Sequence, residues 1–146
     1  MTETTPEEAA RLLAEASRLR GAVTDAARTR YVTWLVGMAT ATAGYYAALA
    51  AAAQAGSESD AAVGIPSVAY GVSIIALGIT LLPFARISSR GFGTRWVTAL
   101  SGWGVLYAGT LVLGLTLFRD EALYWLPAAL VAIAPLVDGA RRELRA

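Results

Sequence analysis

The stretch Thr29-Arg30-Tyr31-Val32-Thr33-Trp34-Leu35-Val36-Gly37, running on to Ala43-Gly44, returns sixty-five residues later as Thr94-Arg95-Trp96-Val97-Thr98-Ala99-Leu100-Ser101-Gly102, running on to Ala108-Gly109. Eight of the sixteen paired positions are identical. In both copies an arginine and an aromatic ring stand at the head of a long uncharged run, which is how a membrane helix is anchored at its cytoplasmic interface. The repeat implies two tandem hairpins.

Working outward, charged residues are absent from 31–57, 61–85, 96–118 and 122–137. A helix crossing a hydrocarbon core of about 30 Å needs roughly 20 residues. The first three runs, of 27, 25 and 23 residues, are ample, and the fourth, of 16, is marginal. A composition that is 56% hydrophobic and 16% charged is too apolar for a water-soluble domain. The reading is all-α: an integral membrane four-helix bundle with spans at about 31–53, 64–84, 96–118 and 122–137. A cytoplasmic amphipathic helix (1–29) precedes the bundle (30–138), and a basic tail (139–146) follows it. Arginines set the orientation: the amino terminus, second loop and carboxyl terminus hold eleven of the twelve, and the two other loops hold only Arg119. Both termini are therefore expected in the cytoplasm of a multi-pass plasma-membrane protein.

The first thirty residues carry ten charges and no apolar core of signal-peptide length. Thr5-Pro6-Glu7-Glu8 reads as a helix start, with a capping threonine, a proline in the first turn and a glutamate three residues after the cap. Ala9, Leu12, Ala16, Leu19, Val23 and Ala26 then recur at three- and four-residue steps and share one face, while the other face pairs acids with arginines. Five arginines balance five acids, which gives little attraction to anionic lipid. The face formed by Leu12, Leu19 and Val23 thus suits another helix: its own bundle and loops, a second copy, or a partner membrane protein. Gly21 is the expected weak point.

Inside the spans glycines recur every seven residues: Gly37 and Gly44, Gly71 and Gly78 (with Gly64 before them), Gly102 and Gly109. Seven residues is close to two turns, so each set marks a groove where another backbone can approach. The expectation is a left-handed bundle whose first and third spans are related by a pseudo-twofold axis. Tyr45, Tyr46, Tyr70 and Tyr107 fall at one depth, about 18–22 Å from Arg30 and Arg95 at about 1.5 Å per residue. Facing inward, they are candidates to line an aromatic pocket for a hydrophobic or cationic solute; otherwise they pair with backbone and hydroxyl groups or form an interfacial belt.

Reactive chemistry is sparse. With no cysteine, histidine or lysine, the chain lacks disulfides, thiol or imidazole catalysts, Schiff-base chemistry and the usual metal ligands. No carboxylate lies within a span, so proton-coupled transport lacks its usual group. A net charge of +1 points to no nucleic-acid partner. The sequence therefore reads as a non-enzymatic module without cofactor or metal, acting through helix contacts as an accessory, sensor or regulatory subunit. A small transporter using the tyrosine level is the alternative.

Overall fold

A computed structural model describes residues 5–56, 60–81 and 92–145, and among them every regular element is an α-helix. The expected segment around Pro83, Arg86 and Arg90 lies outside the described residues.

Helix α1 (Pro6–Gln54) is 49 residues long, about 74 Å at 1.5 Å per residue. It begins as the sequence requires: the Thr5 side chain accepts from the Glu8 backbone N–H at 3.4 Å, and Pro6 fills the first turn, where its missing N–H costs nothing. It continues through Gly21, so the amphipathic segment and the first span are one helix without a joint. A single glycine costs about 1 kcal/mol relative to alanine, which the flanking good helix formers outweigh. At its far end Ala55 N–H donates to the Ala51 carbonyl, and Gly56, in the left-handed region at φ +58°, donates to Ala53 to close the cap.

Helix α2 (Asp60–Leu81) and helix α3 (Phe92–Leu117) follow, and a four-residue connection stitched by Glu121 N–H to the Phe118 carbonyl leads into helix α4 (Ala122–Arg145). Helix α4 passes through Asp138-Gly139, where a tail was expected. Asp138 and Arg142 pair at 2.7 Å one turn apart, Glu143 pairs with Arg95 at 3.3 Å, and Gly139 fits against Ala99 and Leu35. These contacts carry the helix to Arg145 and give it 24 residues, about 36 Å. All four helices are long and apolar enough to cross a membrane.

The packing is lopsided. Backbones come close between α1 and α4, α3 and α4, and α1 and α2, all antiparallel, whereas α2 and α3 scarcely approach each other. A pseudo-twofold axis would make α2 against α3 the equivalent of α4 against α1, and the structure departs from it. The reason is side-chain size. Helix α4 turns Ala128, Ala129, Ala132 and Ala140 inward and sits close to α1, while between α2 and α3 the rings of Tyr70 and Tyr107 stand with centroids 5.5 Å apart and space the backbones. Outward, α2 shows Ile65, Val68, Val72, Ile75 and Ile79, and α3 shows Val97, Val105 and Val112.

Candidate functional site

Tyr45, Tyr46, Tyr70 and Tyr107 share a height and also turn toward one another. Tyr45 stacks on Tyr70 with centroids 4.8 Å apart, Tyr70 lies 5.5 Å from Tyr107, and Tyr46 meets Tyr45 and Tyr107 edge-on at 6.0 and 6.1 Å. Trp103 stacks on the far side of Tyr107 at 5.4 Å. The phenol oxygens have partners: Tyr45 with Ser67 at 3.0 Å, Tyr70 with Thr42 at 3.1 Å, and Tyr46 with Thr110 at 2.6 Å. Tyr46 also donates to the Tyr107 carbonyl at 3.2 Å. Rings at these separations touch one another. In an apolar medium each bonded hydroxyl also removes an unsatisfied polar atom.

One residue that sequence reasoning passed over organises this layer. Thr42 is fully buried, and its Oγ1 accepts from the Trp103 indole N–H at 3.2 Å while bonding the Tyr70 hydroxyl. Nothing in the run Ala39-Thr40-Ala41-Thr42 marks it out from Thr40, which is exposed. Only the rotation of α1 distinguishes them.

The glycines divide. A β-carbon built at Gly37 would lie 3.1 Å from Leu77, and one at Gly102 would lie 3.3 Å from Pro135, so these repeat-related positions are true contact points. At Gly44, Gly71, Gly78 and Gly109 such an atom would meet nothing within 4 Å. The seven-residue series therefore does not supply close contacts at those four positions: Gly44, Gly78 and Gly109 are exposed, while Gly71 is half-buried beside Tyr70 with room for a β-carbon. The tightest approach is at Gly114, outside the series and beneath the Trp125 ring.

At the end of the bundle from which α1 projects, Arg95 and Glu143 pair across α3 and α4, and Glu143 is 12% exposed. A cavity of about 210 Å³ lies here, lined by Tyr31, Thr94, Arg95, Thr98, Pro135 and Asp138 among others. Its two arginines, Arg95 and Arg142, are each matched by a carboxylate, which leaves no net positive charge to hold an anion.

Beyond this end stands the first half of α1. Residues 10–26 are exposed, with Leu12 at 58%, Leu19 at 54% and Val23 at 49%. The face expected to seek a helical partner is thus uncovered by the described residues of the bundle. At Asp25, Arg28 and Thr29, which share a shallow cavity with Leu144 of α4, the bundle comes alongside. Compared with known proteins, the chain matches no family model, no curated protein and no solved structure. What the site presents is its own chemistry: a projecting helix with one apolar stripe, and, among the described residues, no cluster of metal-ligating side chains.

Proposed function

We propose that this chain is a non-enzymatic integral membrane protein that acts through helix–helix contacts, its four-helix bundle serving to hold the first half of α1 out in the cytoplasm as an accessory, sensor or regulatory element. The observation that carries the reading is the continuity of α1: a core helix of the bundle extends unbroken into an uncovered amphipathic rod. A rod fixed this way keeps its direction, and any movement of the spans is transmitted to it rigidly.

Lipid around the bundle accounts for the outward Ile and Val of α2 and α3, since apolar surface of that extent is costly in water. Eleven arginines on one side against one on the other favour cytoplasmic termini. The internal repeat and the two short connections support an origin in two tandem hairpins, with α4 having since moved closer to α1 than symmetry asks.

The test compares the full chain with a variant bearing Leu12→Glu and Leu19→Glu, both extracted from native membranes in mild detergent. Both are expected in the membrane fraction with the same helical content. The assembly containing the wild-type chain is expected to be larger than one bundle, and the variant to run as a single bundle. Equal assembly mass in the two, or recovery of the chain without detergent, overturns the reading.

A further inference from the structure

Helix α1 carries two uncovered surfaces that share one heptad register. In the projecting half Ala9, Leu12, Ala16, Leu19, Val23 and Ala26 alternate as a and d positions. Continuing by fours and threes leads through Arg30 to Thr33, Thr40, Gly44, Ala47 and Ala51, exposed residues on the side opposite Leu35, Met38 and Tyr46. Gly37, in the same register, is covered by Leu77; Gly44 has open space where a β-carbon would stand.

We infer that two copies of the chain pair along α1 as a parallel, in-register dimer, coiled in the cytoplasm and closely apposed in the membrane; this rests on the contact-module reading above. Orientation is the first reason. Two copies inserted the same way project their helices from the same side and in the same direction, so only a parallel pairing is open to them. Charge is the second. The register places Glu15 at a g position and Arg20 at the e position five residues on, so each copy's Glu15 faces the other's Arg20, twice by symmetry. An antiparallel arrangement would set the g-position acids Glu8 and Glu15 against their own kind. Among the described residues Glu15 makes an exposed ion pair with Arg18 at 3.8 Å, which is easily exchanged.

Three heptads alone make a marginal coiled coil, but confinement in a bilayer raises the local concentration of the second helix. The small residues Gly44, Ala47 and Ala51 let the backbones meet where lipid offers no hydrophobic drive. A straight helix would let the shared seam drift by about 20° per heptad, a rotation that left-handed winding of two copies takes up. Arg30, at an a position on the membrane boundary, has a stem long enough to carry its charge out of the seam.

Because the chain has no native cysteine, single substitutions report the seam directly. Full-length Leu12→Cys, Leu19→Cys and Ala47→Cys are oxidised in native membranes beside Ala14→Cys and Thr24→Cys, which lie off the register. Disulfide-linked dimer is expected to exceed the off-register level by about fivefold or more at all three seam positions. Glu15→Arg should lower the Leu19→Cys cross-link to that level, and adding Arg20→Glu should restore it. Equal linking at every position, or no rescue by the second charge change, overturns the dimer. If self-linking fails while Leu12→Glu with Leu19→Glu still reduces the assembly, the contact-module reading stands with a different partner; if the assembly is also unchanged, both fall.

Discussion

Gly114 of α3 lies beneath the indole of Trp125 of α4, so near that a β-carbon there would sit 2.6 Å from the ring's Cζ3 and 2.8 Å from Tyr124. Trp125 is 1% exposed and bonded through its N–H to the Arg119 carbonyl at 3.4 Å, so it has nowhere to go. This approach fixes how closely α3 and α4 pack next to their short connection. Gly114→Ala should therefore destabilise the bundle by about 1–3 kcal/mol, the usual range for overpacking. Gly109→Ala, one and a half turns earlier and facing open space, should be neutral or slightly stabilising. Thermal unfolding of both variants in the same detergent checks the pair.

Thr42 supplies the second expectation. Thr42→Val keeps the shape but leaves the Trp103 N–H without its acceptor and the Tyr70 hydroxyl without its Thr42 partner. Hydrogen bonds between membrane helices are worth about 0.6 kcal/mol on average and up to about 1.7, so losing two should cost about 1–2 kcal/mol. Thr42→Ser should recover most of it. A change in Trp103 fluorescence in the valine variant, absent in the serine variant, would locate the effect.

Leu19, in the projecting half of α1, is 54% exposed. Leu19→Lys should shift unfolding by no more than about 0.5 kcal/mol, as for surface substitutions. An equal change at Leu136, fully buried, should prevent folding. Circular dichroism during unfolding of the two proteins separates a display element from a structural one.

Topology gives a fourth. Asp120→Cys lies in the connection between α3 and α4, and Arg145→Cys lies at the end of α4. In intact cells a membrane-impermeant thiol reagent should label the first and not the second, and permeabilisation should expose the second. The reverse pattern would overturn the orientation drawn from the arginines.

Much of the architecture is legible before any coordinates, because it depends on chain-local quantities. Thr5-Pro6-Glu7-Glu8 starts a helix through its own hydrogen bonds, and uncharged runs of more than 20 residues are helical wherever backbone groups must bond internally. The common height of the four tyrosines follows from a constant rise per residue. The extent of α4 does not follow, because its last turns hold Asp138, Arg142 and Glu143, charges that read as a tail until their partners, Arg95 among them, are seen.

By itself, then, the sequence determined the number of long apolar segments, the start of α1, the apolar stripe on its projecting half and the level at which the aromatic layer lies; that the projecting segment and the first apolar run form one helix came from the structure. Only the tertiary structure decided which way each helix turns about its axis. That rotation separates Thr42 from Thr40, sends Gly37 and Gly102 into contacts while Gly44, Gly78 and Gly109 face out, and lets the alanines of α4 bring it closer to α1 than the repeat implies. The physical reason is that height along a helix is set by bonds within the chain, whereas rotation about its axis is set by the sizes of side chains on other helices, and a repeat of seven is satisfied equally well facing the core or facing away from it.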